Sequence, residues 1–202
     1  MTDPRLDVLC IGNAIVDIIA DCDDAFLERE GLTKGMMRLI DAEEATRLYD
    51  HMGPAREVSG GSAGNTAAGI AALGGKAGFI GQVAPDQLGE FYRHDLTSTG
   101  VEFTTPAQDF GVPTARSMVL VTADGHRTMN TFLGAAQHLR DVVDDGQAEQ
   151  QHLELTGHPA SGRHETAAPQ DPGRRIRGHA VLCPGARAGG RRRGRPDHRV
   201  GE

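Results

Sequence analysis

The alternation of apolar and polar positions predicts a chain in which strands and helices follow one another. Between Asp7 and Ala20, two clusters of β-branched residues flank the pair Gly12-Asn13, which indicates a mostly buried strand with a polar interruption. The same pattern predicts strands at 36–40 and 77–83 and helices at 41–52, 62–73 and 86–100. This order is typical of an α/β fold with a mostly parallel sheet flanked by helices.

Residues that start and stop helices support these predictions. Asp23 or Asp24 can cap a short helix that stops at Gly31, and Asp41 with Glu44 three positions later comes close to a capping box. Such side chains satisfy backbone groups that helix ends leave unpaired.

The stretch from about 114 to 133 has a different pattern. Two β-rich segments, 118–121 and 128–132, flank Ala123-Asp124-Gly125. Asp-Gly between two apolar runs is a strong hairpin signal. We therefore expect a small antiparallel piece within the α/β body.

The composition changes after about Gln137. Residues 137–202 contain no Phe, Tyr or Lys, whereas nine arginines fall between Arg174 and Arg199. With few periodic apolar residues, this segment cannot offset the entropy lost on ordering its backbone. We predict that it is disordered, or that it stems from a shifted reading frame in GC-rich coding DNA.

Charge and cysteine content narrow the class of protein. The formal net charge is −7, divided as −9 for residues 1–136 and +2 for the rest. An acidic body argues against a nucleic-acid-binding domain. Cys10, Cys22 and Cys183 form no C-x-x-C pair, so neither a zinc site nor a disulfide framework is indicated. Cysteines without such pairs suit a reducing cytoplasm, and no apolar stretch has the length of a membrane helix, so we expect a soluble, cytoplasmic protein.

The pair Gly60-Gly61 and the helix predicted to start at Ser62 form the first candidate site. Two glycines let a ligand approach the backbone, and a helix N-terminus presents unpaired N–H groups at the positive end of its dipole. Ser62 and Asn65 add a hydroxyl and an amide. The alternative is a tight turn before a closely packed helix, and the spacing alone does not separate the two.

Two nucleotide-binding motifs are excluded in this region. Residues 69–76 resemble a P-loop, but Lys76 is followed by Ala77 in place of Ser or Thr, and the glycine spacing is one residue too long. The dinucleotide pattern G-x-G-x-x-G does not occur at the turn either.

Asn13 and Asp17 form a second candidate site. They lie near the carboxyl end of the first predicted strand, where ligands of open α/β sheets usually bind. An amide and a carboxylate at this spacing could bind sugar hydroxyls. Alternatively, Asn13 is simply a turn residue after Gly12.

Four separated motifs follow one another along the chain: Gly12-Asn13-x-x-x-Asp17, Gly60-Gly61-Ser62-x-x-Asn65-x-Ala67, Gly81-x-x-x-x-Asp86-x-x-Gly89 and Asp124-Gly125-x-Arg127-Thr128. Together they resemble the N-terminal half of the ribokinase-like (PfkB-type) carbohydrate kinases. The Asn-x-x-x-Asp spacing is more like that of adenosine kinases than that of ribokinase. The resemblance covers about residues 5–136, which we expect to be the N-terminal part of a carbohydrate kinase domain.

This resemblance implies a ribokinase-like fold, incomplete at the C-terminus, with a small β lid that includes the hairpin at about 114–133. It implies that Asp17, Gly61 and Asn65 hold the hydroxyls of a ribosyl substrate, adenosine or a sugar. Arg127 resembles the arginine that approaches the transferred phosphate. ATP and Mg²⁺ are the cofactors that the family implies, and a homodimer formed through the lid is a further expectation.

The family's catalytic base is an aspartate in a C-terminal Gly-Ala-Gly-Asp motif, which this sequence lacks. The nearest segment, Pro184 to Gly190, has no carboxylate in the required place. We therefore predict a truncated, inactive kinase that retains the acceptor site but has no complete ATP site. The alternative is a non-catalytic nucleoside- or sugar-binding or interaction protein with a basic, nucleic-acid-binding tail.

Overall fold

A computed structural model describes residues 6–139 and the backbone of 179–182. The elements in chain order are β1 (Val8–Ile11), β2 (Ile15–Asp21), α1 (Asp24–Arg29), β3 (Met37–Leu39), α2 (Ala42–His51), β4 (Ala55–Gly60), α3 (Ser62–Ala72), β5 (Ala77–Ile80), α4 (Gln87–Ser98), β6 (Ala115–Val121), β7 (Arg127–Phe132), a 3-10 helix (Gly134–His138) and β8 (His179–Leu182). None of the helices in these described parts is both long enough and apolar enough to cross a membrane.

The strands form two mixed sheets. In the three-stranded sheet, β1 lies between β5, which runs parallel to it, and β8, which runs antiparallel. The five-stranded sheet has the order β3-β7-β6-β2-β4, with parallel pairs β3/β7 and β2/β6 and antiparallel pairs β6/β7 and β2/β4. We refer to the first as the body sheet and to the second as the lid sheet. The predicted α/β fold is confirmed.

The single strand predicted from Asp7 to Ala20 is wrong, because the chain divides at Gly12-Asn13 into two strands of different sheets. In β1, the neighbours Val8, Leu9 and Cys10 are all buried, so both faces of this strand are covered. In β2, buried residues alternate with half-buried ones, so only one face is fully covered. Both strands are rich in apolar residues, and the sequence pattern therefore did not distinguish them.

The lid sheet is larger than the hairpin that the sequence predicts. That hairpin is confirmed as β6 and β7, which turn at Gly125 with a φ of 82°. However, β2, β3 and β4 extend the same sheet on both sides. One face of it packs on α1 and α2 in a continuous core, to which these buried residues belong: Val16, Ile18, Met118, Leu120, Phe26, Leu27 and Leu48. The other face carries Asp17, and we refer to it as the Asp17 face.

The body sheet is held between α3 and a smaller apolar cluster. Helix α3 packs against β1 and β5. On the other side of these strands, Leu6, Leu9, Ile80 and Leu139 are buried together. Helix α4 contacts β4 and β2 of the lid sheet, and the ring of its Tyr92 lies 6.0 Å from that of Phe79 on β5, so it joins the two sheets beside the Gly60-Gly61 turn.

Most of the segment 137–202, predicted to be disordered or frame-shifted, lies outside the described residues. Its residues 179–182 do not follow the expectation of disorder, because they form β8 and pair with β1. A strand edge presents a row of unpaired N–H and C=O groups, and a short β-forming stretch such as Ala180-Val181-Leu182 can satisfy them.

Candidate functional site

The Gly60-Gly61 turn is packed tightly against β2 and the residues before it. A Cβ atom on Gly60 would lie 2.5 Å from Cγ and 2.8 Å from Oδ1 of Asp17, so the carboxyl group of Asp17 rests directly on the glycine. Gly61 has a φ of 84°, and a Cβ there would overlap the carbonyl oxygen of Asn13. Glycine is required at position 61, because its φ is left-handed and a Cβ would meet a main-chain oxygen, whereas a larger residue at position 60 would displace the Asp17 carboxyl group.

Helix α3 starts at this turn, and its N-terminus differs from those of the other three α-helices in the described residues. Asp23, Asp41 and Asp86 cap α1, α2 and α4 by accepting a backbone hydrogen bond at the third residue beyond the cap. Gly61 is the N-cap of α3 and has no side chain with which to do so. The first-turn N–H groups of α3 therefore lack an acceptor from their own cap and face outward at the positive end of the dipole.

The predicted substrate-binding residues fall into two groups. The structure brings Asn13, Asp17, Gly60 and Gly61 into direct proximity, although they come from two segments more than 40 residues apart in the chain. Ser62 and Asn65 lie in the first turn of α3, with exposed side chains at the mouth of the same turn. The N–H of Asn65 donates to the carbonyl of Gly61 at 2.9 Å, which starts the helix.

The carboxyl group of Asp17 has an unusual electrostatic environment. Burial raises its pKa from 3.8 to about 6, and the positive charge of Arg127 partly opposes this shift. Arg127 is the exposed first residue of β7. Because the raised pKa still lies below 7, Asp17 is mostly ionised at neutral pH and can accept hydrogen bonds from two hydroxyl groups.

The predicted location of Asp17 is wrong in one respect. It does not lie near the carboxyl end of the first strand, since it occupies the third position of β2 in the lid sheet. There it pairs in register with Val58 of β4 and Ser117 of β6. The antiparallel register of β2 and β4, which no local pattern encodes, brings its carboxyl group onto Gly60.

Two residues that the sequence analysis did not name contact the turn. The hydroxyl of Tyr92 donates to the carbonyl of Gly60 at 3.1 Å, and Asp95 accepts from the N–H of Ser59 at 2.7 Å. The sequence analysis predicted the helix at 86–100 but assigned no role to either residue. A signal was present in the spacing, because Tyr92 and Asp95 lie three residues apart and so share one face of the helix.

The polar groups of the motif Gly81-x-x-x-x-Asp86-x-x-Gly89 bond to other groups of the protein. Asp86 caps α4 through the N–H of Gly89 and also accepts from both the N–H and the hydroxyl of the buried Thr114, at 2.8 and 2.6 Å. A Cβ on Gly89 would overlap the carbonyl oxygen of Ala84. This turn therefore joins α4 to the start of β6, and its polar groups are used internally.

Apolar side chains line part of the Asp17 face. The strand registers place Val58, Met37, Leu39, Ile19 and Met129 on the same side of the lid sheet as Asp17. Val58, Met37 and Leu39 are 40%, 40% and 47% exposed. This surface could pack on an apolar, planar group held near Asp17.

The Gly60-Gly61 turn does not fit the phosphates of ATP. The space beside the two glycines is filled by the Asp17 carboxyl group and the Asn13 carbonyl, and both would repel an anion. The same acceptors suit hydroxyl donors. In the described ranges 6–139 and 179–182, no group of three or more His, Cys, Asp or Glu side chains is placed to hold a metal ion.

Known proteins are similar to this chain in sequence and fold. The family model for the pfkB family carbohydrate kinases matches residues 5–168, which runs past Ala136, where the sequence analysis ends the resemblance. An adenosine kinase from Sinorhizobium meliloti is 62% identical with a TM-score of 0.62, over 65% of this chain and 40% of that protein. A protein from Rhizobium etli CFN 42 described as a probable sugar kinase is 58% identical with a TM-score of 0.62, over 66% and 40% of the two chains.

A curated relative extends the likeness to sugar kinases. A fructokinase from Klebsiella pneumoniae is 37% identical over 86 residues, which are 43% of this chain and 28% of the fructokinase. The chain thus spans less than half the length of these relatives. The predicted resemblance is confirmed, because the family model covers more than half of the chain. With its glycine turn, its lid sheet and its α/β body, the chain belongs to the pfkB family of carbohydrate kinases.

Proposed function

We propose that the chain binds the ribosyl part of a nucleoside such as adenosine, as the acceptor half of an ATP-dependent phosphotransferase. The observation that carries this proposal is the Asp17 carboxyl group resting on Gly60 beside the uncapped N-terminus of α3. In the family, the acceptor is a primary hydroxyl of a sugar or nucleoside and the donor is the γ-phosphate of Mg-ATP.

The site has the chemistry to hold two neighbouring hydroxyl groups. The carboxylate of Asp17 can accept hydrogen bonds from both hydroxyl groups, while the first-turn N–H groups of α3 and the amide of Asn65 can donate to their oxygens. A hydrogen bond to a charged acceptor contributes about 1.5–3 kcal/mol, which is more than a neutral pair does. A vicinal diol, as in ribose, would use both kinds of partner at once.

The Asp17 face favours a nucleoside over a bare sugar. Its exposed apolar side chains, Val58, Met37 and Leu39, lie on the same face of the sheet as the carboxylate. A base attached to the sugar would remove part of that surface from water, at about 25 cal/mol for each Å² of apolar area. A sugar without a base would leave it exposed.

The role of Arg127 in this proposal is to balance charge beside the acceptor. Its positive charge already acts on Asp17 and lowers the pKa of that carboxyl group. The resemblance assigns to it the approach to the transferred phosphate, where a cation would oppose the developing negative charge. The Gly60-Gly61 turn does not fit ATP, and we assign no step of phosphoryl transfer to the described residues.

Isothermal titration of residues 1–202 with adenosine tests the proposal. We expect measurable binding of adenosine, at least tenfold weaker binding of 2′,3′-dideoxyadenosine, and weaker binding of ribose. The dideoxy analogue keeps the base but lacks the diol, so it isolates the hydroxyl contacts. Equal binding of adenosine and the dideoxy analogue would contradict the assignment to hydroxyls.

A kinase assay tests the second part of the proposal. Because the sequence lacks the Gly-Ala-Gly-Asp motif, we expect residues 1–202 to bind adenosine without ATP-dependent turnover. Phosphorylation of adenosine or ribose by the purified chain would overturn this part while supporting the first. A pull-down with RNA at several salt concentrations tests the alternative of a nucleic-acid-binding tail. That alternative would be favoured if the chain retained RNA but showed no heat of adenosine binding.

A further inference from the structure

Helix α4 contacts the Gly60-Gly61 turn through two polar side chains on one of its faces. The Tyr92 hydroxyl donates to the Gly60 carbonyl at 3.1 Å, and the Asp95 carboxylate accepts from the Ser59 N–H at 2.7 Å. Ser59 and Gly60 are the last two residues of β4. One side chain of α4 thus holds the carbonyl of the final residue, and the other holds the N–H of the residue before it.

Packing alone would not require a tyrosine at position 92. Its ring is fully buried and contacts two phenylalanines, with centroid distances of 6.0 Å to Phe79 and 5.8 Å to Phe103. A phenylalanine ring would satisfy this environment equally well. The hydroxyl is a buried polar group that needs a partner, and the Gly60 carbonyl is the one it has.

The same hydroxyl also determines the residue at position 64, in the first turn of α3. A Cβ atom on Gly64 would lie 2.6 Å from Oη of Tyr92, closer than two such atoms can approach, but 3.8 Å from Cζ. The hydroxyl therefore lies between the end of β4 and the first turn of α3. The hydroxyl thus contacts the elements on both sides of the Gly60-Gly61 turn.

The position of Gly60 decides where the Asp17 carboxyl group lies. These two groups are in van der Waals contact, with the glycine as the surface against which the carboxyl group packs. A displacement of the Gly60 carbonyl would therefore move the acceptor oxygens. Displacements of about 1 Å are enough to impair binding and catalytic sites.

We propose that Tyr92 and Asp95 are positioning residues for the acceptor site, which hold Ser59 and Gly60 so that Asp17 and the first turn of α3 face the ligand. The effect on ligand affinity rests on the proposed function, whereas the effect on the position of the turn can be measured without a ligand. Neither residue touches the ligand in this proposal, and both act through the main chain of the turn.

Electrostatics support the hydroxyl as a permanent donor. Burial raises the pKa of Tyr92 far above its usual value, and the negative charges of Asp17 and Asp95 add to the effect. Arg127 on β7 is the cation whose charge acts on Asp17. The hydroxyl therefore keeps its proton, and its bond to Gly60, over the whole pH range in which Asp17 titrates.

The first experiment uses the ligand-free chain and the variants Tyr92→Phe and Asp95→Asn. The matched controls are Tyr49→Phe, which changes the chain's other tyrosine, about half exposed on α2, and Asp50→Asn, at an exposed position of the same helix. We expect amide hydrogen exchange at 59–65 to become about threefold to tenfold faster in the two test variants, relative to the amides of β6. The controls should match the parent.

The second readout is the titration of Asp17, followed by carbon NMR of its carboxyl group. If the turn loosens, water reaches the carboxylate and its pKa should fall from about 6 towards 3.8 in Tyr92→Phe. A purely structural role of Tyr92 would lower the urea midpoint of the whole chain without moving this titration. An unchanged titration, together with unchanged exchange at the turn, would overturn the proposal.

A paired substitution separates the bond from the packing. Gly64→Ala alone should be poorly tolerated, because its methyl group meets the Tyr92 hydroxyl, whereas Gly69→Ala in the same helix meets no atom within 4 Å. The double variant Gly64→Ala/Tyr92→Phe should recover the urea midpoint, since the methyl group then lies at contact distance from the ring. It should not recover slow exchange at Ser59 and Gly60. If the double variant recovered both the urea midpoint and slow exchange, the hydrogen bond from Tyr92 to Gly60 would have no positioning role.

The last experiment measures the adenosine affinity of the same variants. We expect Tyr92→Phe and Asp95→Asn to bind about threefold to tenfold more weakly than the parent, with the controls unchanged. If the parent itself does not bind adenosine, the proposed function fails, and the exchange and titration results still decide the positioning role. If the parent binds and the test variants match their controls in all three readouts, the positioning role is overturned.

Discussion

Two helices of this protein start at glycine-containing turns, yet they use their N-termini in opposite ways. The turn before α4 is closed, because Asp86 caps the helix and also binds the N–H and hydroxyl of Thr114. The turn before α3 is open, because its N-cap is Gly61, which has no side chain to offer. In place of a cap, the α3 turn has the Asp17 carboxyl group beside it.

This difference separates a structural motif from the proposed binding motif, which is similar in appearance. Both turns contain glycines that no other residue could replace, since a Cβ on Gly61 or Gly89 would overlap a backbone carbonyl oxygen. Tight packing is therefore no indicator of function. What distinguishes the α3 turn is that its helix N-terminus is left without a side-chain acceptor while a carboxylate is held nearby.

The largest expected effect is on stability, at the closed turn. Asp86→Ala removes the α4 cap and leaves the N–H and hydroxyl of the buried Thr114 without their acceptor, so we expect a loss of about 2–4 kcal/mol. Asp41→Ala is the matched control, because Asp41 caps α2 in an exposed position and should cost about 1 kcal/mol. Urea denaturation measures both, and equal losses would remove the distinction between a local cap and a tertiary anchor.

The second prediction concerns the approach of Gly61 to Asn13. Gly61→Ala should cost about 1–2 kcal/mol for the left-handed backbone conformation and a further amount for the overlap with the Asn13 carbonyl. Gly74→Ala isolates the first contribution, because Gly74 has a similar φ of 86° with nothing within 4 Å. Urea midpoints and adenosine titrations are compared, and Gly61→Ala should lose more in both. Matching values for the two variants would show that the close approach does not matter.

The third prediction uses the raised pKa of Asp17. A folded-state pKa of about 6, above the ordinary 3.8, means that the protonated carboxyl group is favoured by folding. The corresponding stability is fully present below about pH 3.8 and is lost as the pH rises through about 6. Asp17→Asn carries no charge to bury, so it should be more stable than the parent above pH 6 and gain nothing below pH 4.

The same variant should lose ligand affinity by about tenfold or more, because an amide cannot replace a charged acceptor for two hydroxyl groups. In the parent, adenosine affinity should fall as the pH drops below about 6 and the carboxylate becomes protonated. Urea denaturation and titration calorimetry between pH 4 and 8 check both trends. A variant that is less stable than the parent at pH 7.5 would contradict the burial of the Asp17 charge.

The smallest expected effect is at the mouth of the open turn. Ser62→Ala removes an exposed hydroxyl from the first residue of α3 and should weaken adenosine binding by about 0.5–1 kcal/mol, with no resolvable change in stability. Thr66→Ala, one turn further along, removes a hydroxyl that bonds back to the Ser62 carbonyl at 2.8 Å and should leave affinity unchanged. Equal affinity of the parent and Ser62→Ala would place the hydroxyl outside the ligand contacts.

Local features of the fold were predictable because their causes are local. The cap Asp41 was predicted, and Asp23 was one of two candidates for the cap of α1, because such side chains bond to the backbone three residues on. The hairpin at Gly125 was identified in the same way, since Asp-Gly favours the required turn. The strand division at Gly12-Asn13 was missed, because an apolar run has the same pattern whether it continues in one sheet or passes to another.

Several residues of the candidate site could be predicted from the sequence, but the contacts that hold them together could not. Asn13, Asp17, Gly60 and Gly61 were named from motif spacing, and the structure brings them together. The contributions of Tyr92 and Asp95 were missed, because hydrogen bonds from α4 to β4 join residues more than 30 positions apart in the chain. The three-residue spacing of Tyr92 and Asp95 indicates only that they share one face of α4, and it does not indicate which strand that face contacts.

The sequence by itself determined the helices, their caps, the glycines and the family, since each depends on the residue types of short segments. Only the tertiary structure decided that β2 belongs to the lid sheet and that Asp17 lies on Gly60, with the α3 turn held by Tyr92 and Asp95. These features depend on strand register and helix packing between distant segments. Their energies are set by which groups are brought together out of water, and so they exist only in the folded chain.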